Sequence, residues 1–189
     1  MRPVTVLLAI ACLASAPARA EVIEQSETSF VIHFESDVAA TPTQVWNTLV
    51  APQGWWSKDH TYSGDASNLF IDSQATGCFC EKIPAPEGQR MGSVEHARVI
   101  AVLPGRMLRM TGAIGPLQSE AVTATLTIAL KSSGDSTHLS WNYVIGGAMR
   151  LKVADVAPQV DKVLGEQFAG LVAKAGAAAL PAEEPTPRN

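Results

Sequence analysis

The sequence predicts an α+β domain: a curved antiparallel sheet of about six or seven strands wrapped on a long C-terminal helix, with two short helices after the first strand. Three observations predict it. Apolar residues alternate in SFVIHFES, residues 29–36, and in five later segments, as half-buried strands require. Residues 41–60, TPTQVWNTLVAPQGWWSKDH, interrupt those strands once, with a capped helix and paired tryptophans. Finally, valines, leucines and Phe168 recur at helical spacing over 155–174.

The first strand places Phe30, Ile32 and Phe34 on one face and Val31, His33 and Glu35 on the other. Thr41 then caps a helix, Pro42 suits its first position, and Gln44 completes a T-x-x-Q capping box. Val45, Trp46, Leu49 and Val50 supply its apolar stripe. Pro52 ends it, and Trp55–Trp56 mark a second short element lying against an apolar surface. One more short strand belongs between His60 and Gly77, without a clear position.

Residues 78–83 form the next strand. Residues 93–103 and 106–112 flank Pro104-Gly105, a tight-turn signal. Pairing Leu103 with Arg106 sets Ala101 against Leu108 and Val99 against Met110 as an apolar face, leaving His96, Arg98, Arg109 and Thr111 outward. A single bulge would exchange the faces. In the last hairpin, 121–130 with 137–145, Val122, Ala124, Leu126, Ile128 and Leu130 align with Leu139, Trp141, Tyr143 and Ile145. Their neighbours are mostly threonine, serine, histidine and asparagine, so the inward face is clear. Asp155 caps the final helix and Pro158 falls in its first turn.

The ends of the chain read differently. Arg2, an apolar run over 4–14 that is too short to span a bilayer, and Ala18-Arg19-Ala20 before Glu21 make residues 1–20 a signal peptide. Lipoprotein cleavage at Cys12 is the weaker alternative, because Ala9-Ile10-Ala11 lacks a leucine three positions earlier. Residues 21–175 make one domain, and the Ala/Pro/Glu-rich tail 176–189 is expected to be disordered. The protein is therefore expected to be exported, periplasmic or secreted. Taking Arg2 and Arg19 from the 14 basic residues leaves 12 against 18 acidic, a formal charge of −6. That acidity argues against nucleic-acid partners, which call for a basic stripe. No later segment has membrane-spanning length, and no phosphate-binding or dinucleotide glycine motif occurs.

The order of strand, TPxxVW helix and WW segment, the Pro-Gly hairpin, GAIGPLQ (112–118) and a terminal helix carrying VDKVLGEQ (160–167) resembles the START-like helix-grip (SRPBCC) superfamily. The nearest look is its group related to polyketide cyclases and to the activator of the heat-shock chaperone ATPase. The resemblance spans residues 25–175. It implies a small hydrophobic ligand, lipid-like, aromatic or polyketide-like, held in an internal cavity without a cofactor. It also admits cyclase, dehydratase or hydrolase chemistry, or a chaperone-type interaction module.

Ligand-lining candidates are Trp55, Trp56, Phe79, Met110, Leu117, Leu126, Trp141, Tyr143 and Phe168. The tryptophans serve as a lid or as packing, Leu117 as a gate, and Tyr143 brings a hydroxyl to the pocket. For acid–base work the candidates are Glu81, Glu95 and His60. Closing the hairpin over 84–92 sets Glu81 opposite Glu95, and paired carboxylates in an apolar site resist double ionisation. Outward carboxylates and a surface His60 are the structural alternative. Cys78-x-Cys80, with His96 opposite Cys80, is either a thiol site or a structural pair. It lacks the second ligand pair that a zinc site calls for.

Overall fold

The structure, a computed structural model, describes residues 19–179; the expected signal peptide, apart from its last two residues, and the tail beyond Ala179 lie outside them. Eight antiparallel strands form one sheet. They are β1 (Arg19–Gln25), β2 (Ser29–Val38), β3 (Leu69–Ile71), β4 (Cys78–Ile83), β5 (Gly92–Leu103), β6 (Met107–Thr111), β7 (Ala121–Ser133) and β8 (Ser136–Ala148). Their order across the sheet is β1-β2-β8-β7-β6-β5-β4-β3. Helix α1 (Pro42–Leu49) follows β2, and α2 (Val153–Ala179) closes the chain. Short 3₁₀ turns at Pro52–Gly54, Lys58–His60, Ala66–Asn68 and Gly115–Ser119 fill the connections.

The capping box of α1 forms: Thr41 N–H donates to Gln44 Oε1 at 2.9 Å, and Gln44 N–H donates to Thr41 Oγ1 at 3.4 Å. The last hairpin also has the expected register, with Ala124↔Ile145, Leu126↔Tyr143, Ile128↔Trp141 and Leu130↔Leu139. Two strands go beyond the sequence reading. β3 supplies the unplaced strand between His60 and Gly77, and β1, which starts within the expected leader, pairs with β2. The terminal helix starts two residues earlier than predicted. Lys152 C=O accepts from Asp155 and Val156 N–H, so Asp155 lies in the first turn, where a carboxylate complements the helix dipole. The helix also continues five residues past Lys174, through a stretch assigned in part to the tail.

The first long hairpin departs most. Its β5 strand carries two irregularities, one opposite Phe79/Cys80 and one between Val99 and Ala101. The second sets Ala101 against Arg109 and Val102 against Leu108, in place of the expected Ala101–Leu108 pair. A three-residue loop, with Gly105 at φ 70°, joins Leu103 to Met107.

Helix α2 packs on β1, β2 and α1. Gly170 lets the Trp55 carbonyl approach: a Cβ there would stand 2.6 Å from that oxygen. Between helix and sheet the aromatic rings interlock. Phe168 stacks on Phe34 and meets Trp141 edge-on, each at 5.5 Å, and Trp141 meets Trp55 at 5.9 Å. A void large enough for water beside these rings would leave their surface accessible, yet Phe34, Trp141, Tyr143 and Phe168 are 0–1% exposed. The side chains expected to line an apolar cavity fill that space themselves.

Candidate functional site

Glu81 is the anchor of the site. It shares the inward face of β4 with Phe79 and is completely buried. Its Oε2 accepts the Tyr62 N–H at 3.0 Å, and Oε1 accepts the Ser63 N–H, which pins the segment before β3 onto the sheet. Oε2 also lies 3.0 Å from His96 Nε2. Burial pushes the Glu81 carboxyl upward, but the hydrogen bonds from Ser63, Tyr62 and His96 outweigh it and hold it below its ordinary value. The side chain is therefore an ionised acceptor near neutral pH.

His96 owes its position to the bulge. Phe79 pairs with Ala97 and Cys80 with Glu95, which leaves His96 as the extra residue of β5. Strict alternation would send it outward. Instead His96 and Ala97 both turn inward, and the ring packs beside Phe79 at 4.8 Å and Tyr62 at 5.8 Å. Burial, partly opposed by Glu81, lowers its pKa and keeps the imidazole neutral near neutral pH. With Glu81 able only to accept, Nε2 carries the proton and Nδ1 holds the free lone pair. Nδ1 has no partner among the described residues and is not sealed from solvent.

His96 forms part of an open cleft of about 310 Å³, together with Glu95, Thr111, Gly112, Gln118 and Glu120. Gly112, at φ 156°, crosses so close to β5 that a Cβ would lie 2.6 Å from the His96 carbonyl oxygen. The loop after it is held from two sides. From beneath, the Tyr143 hydroxyl accepts the Ile114 N–H at 3.2 Å, and burial raises its pKa to about 12. From above, Tyr62 Oη donates to Gln118 Oε1 at 3.1 Å, and Gln118 Nε2 donates to the Glu95 carbonyl at 2.7 Å. Glu120 is fixed by Arg150, whose side-chain and backbone hydrogen bonds hold its carboxyl below the ordinary value. His96, a neutral imidazole with a carboxylate behind it, thus borders a cleft lined by acidic and amide groups.

The structure separates the carboxylates expected to pair. Cys80, not Glu81, stands opposite Glu95, which points outward and pairs with Arg98 at 2.6 Å. His96 likewise leaves the thiol face, so the expected grouping of Cys78, Cys80 and His96 does not form; the two cysteines form a disulfide with each other. His60 pairs with Glu166 of α2 at 3.0 Å and makes no hydrogen bond to the cleft residues. Trp55 and Trp56 are core: their indole N–H groups donate to the Thr48 and His60 carbonyls, and Trp56 tilts onto Phe79 at 4.9 Å. Leu117 is wholly buried as a plug under its loop, and Met110, Leu126 and Phe168 are equally enclosed. Trp141 Nε1 is buried without a partner among the described residues. Sequence reasoning missed Tyr62, Thr111, Gln118 and the Glu120–Arg150 pair as members of the site. Among the described residues no cluster of three potential metal ligands assembles.

No family model matches the chain, and no curated protein matches it. Solved structures do. The protein Mll3558 of Rhizobium loti aligns over 79% of this chain and 99% of its own, with a TM-score of 0.55 and 17% identity. An uncharacterised protein of Rhizobium leguminosarum aligns over 86% and 99%, at TM-score 0.58 and 12% identity. Ara h 8.0201 covers 79% of this chain and 99% of its own, at TM-score 0.53 and 10% identity. This is a helix-grip fold. At these identities the likeness concerns the fold, and any function rests on the chain's own residues. Among the described residues no helix is long and apolar enough to cross a membrane.

The electrostatics of the helix-grip interior give a pH prediction. Both Glu81 and His96 titrate lower in the folded chain than in the unfolded one. Their stabilisation is complete above the ordinary values, 6.5 for the imidazole and 4.5 for the carboxyl, and is lost as the pH falls below them. Urea midpoints should therefore fall from pH 7.5 to 5.5 through His96 and fall faster below pH 4.5 as Glu81 joins it. Each group contributes at most about 1.4 kcal/mol per pH unit. In His96→Gln the upper part of that decline should disappear.

Proposed function

We propose that this is an exported helix-grip protein that binds a small, largely apolar molecule, aromatic or polyketide-like, through one hydroxyl or enol group held by His96 Nδ1. The observation that carries the reading is the Glu81–His96 pair facing the open cleft. A buried, neutral, oriented imidazole with an unused acceptor is an unusual expense in a structural core, and a ligand donor would complete it. The ligand enters at the cleft, with no preformed internal cavity. Its apolar part displaces the Leu117 plug, which gives access to Met110 and Leu126.

The arrangement also favours a catalytic reading within the same site. A carboxylate-oriented imidazole can remove a proton from an acidic C–H or O–H of the bound molecule, the first step of cyclase- or dehydratase-type chemistry. That reading agrees with the resemblance to the polyketide-cyclase group. Export is supported by the 1–20 segment and by the Cys78–Cys80 disulfide, since disulfides persist in oxidising compartments. Cleavage after Ala20 would leave Glu21–Gln25 as the β1 strand paired with β2.

Native mass spectrometry of the protein from its own periplasm tests these points together. The expected intact mass lacks residues 1–20, with a small organic molecule retained by the wild type and lost from His96→Gln. Equal retention by the variant would remove His96 from the binding role. A full-length mass would remove the cleavage.

A further inference from the structure

We propose that Cys78 and Cys80 form a second site, on the outward face of β4: a thiol–disulfide exchange centre for peptide dithiols. The bond joins residues only two apart on β4, across Phe79. A ring that short restricts the unfolded chain far less than a long loop would. Stabilisation is therefore a weak reason for the bond. Reversible chemistry is a better one, and the surroundings supply what it needs.

Phe79 is fixed in the core between Trp56 and His96, so both cysteines stay on the outward face whether bonded or not. The reduced pair therefore remains placed to close again. Both are half-buried and reachable, on the outward face of β4. Arg98 stands opposite Cys78 in the strand register and Glu95 opposite Cys80, the two joined by their own ion pair. The guanidinium favours a thiolate at Cys78, while the Glu95 carboxylate disfavours one at Cys80. Lys82 lies on the same face, 5.8 Å over the ring of Phe70, which pairs with Cys80 from the edge strand β3. The two sulfurs are thus unlike. Cys78 is the better leaving thiolate and Cys80 the better target.

The exchange balances as follows. A peptide thiolate attacks Cys80 Sγ, the Cys78–Cys80 bond breaks, and Cys78 leaves as thiolate. The second peptide thiolate attacks the peptide's own sulfur in the mixed disulfide and releases Cys80. The peptide gains a disulfide and gives up two protons, and the protein gains a dithiol. Oxidised glutathione restores the protein disulfide: the Cys80 thiolate attacks one of its sulfurs and releases one glutathione thiolate, and the Cys78 thiolate then attacks Cys80 Sγ and releases the second.

The test uses the whole chain, reduced with glutathione or with a two-cysteine peptide, then alkylated and weighed. The expected result is reversible conversion between disulfide and dithiol with an unchanged circular dichroism spectrum, and one peptide disulfide formed per protein. Arg98→Ala should slow the first step about threefold, because the leaving thiolate loses its neighbouring cation. The proposal is overturned if the bond resists millimolar glutathione, if reduction unfolds the protein, or if Arg98→Ala exchanges at the wild-type rate. Ligand retention through His96 is measured separately, so either idea can fail alone.

Discussion

Glu81→Ala is expected to cost about 3–5 kcal/mol of stability, the range for breaking a buried, hydrogen-bonded charge network. Three donors lose their acceptor at once: the Tyr62 and Ser63 backbone N–H groups and His96 Nε2. All three lie where water cannot fully replace the carboxylate. The segment leading into β3 then loses its attachment to the sheet, and His96 loses its orientation. Glu95→Ala is the informative control. Its carboxylate is exposed and meets only Arg98, so its removal should cost about 0–1 kcal/mol. Urea unfolding of the two variants separates them. Equal losses would mean that the two carboxylates share a site after all, and the bulge at His96 would be wrong.

That contrast also marks where the sequence stops being readable. The helix cap at Thr41 and the β7–β8 hairpin follow from local chemistry and strict alternation, and both form as expected. The β4–β5 hairpin has the same kind of pattern, but one extra residue shifts its phase. Nothing in alternation alone locates that residue, so alternation puts Glu95 and His96 on exchanged faces. A partial signal was present. CFCEKI places Glu81 on the same face as Phe79, and a carboxylate there needs a nearby donor. The adjacent Glu95-His96 pair offers one only if His96 turns inward. The β1 strand was hidden for another reason: it runs through the Ala-Arg-Ala pattern, which reads as a processing site. The filled interior was hidden too, because an apolar stripe of given width fits a packed core and a lined cavity equally well.

Phe168→Ala addresses that last ambiguity. Phe168 has no accessible surface, stacks on Phe34 and meets the edge of Trp141. Removing the ring should cost about 3–5 kcal/mol, from lost transfer energy plus the cavity left behind. Helix α2 cannot simply move inward to close the gap, since Gly170 already brings it against the Trp55 carbonyl. The result should be a dry apolar void on the order of 100–150 Å³, a size that admits one small aromatic molecule. Benzene or indole should then stabilise the variant, by about 1.4 kcal/mol at ten times its dissociation constant. The same compounds should leave the wild-type melting temperature unchanged, because its interior has no room for them. A rise in the wild type as well would show that the core opens on its own, and the ligand would not need the cleft at His96 to enter.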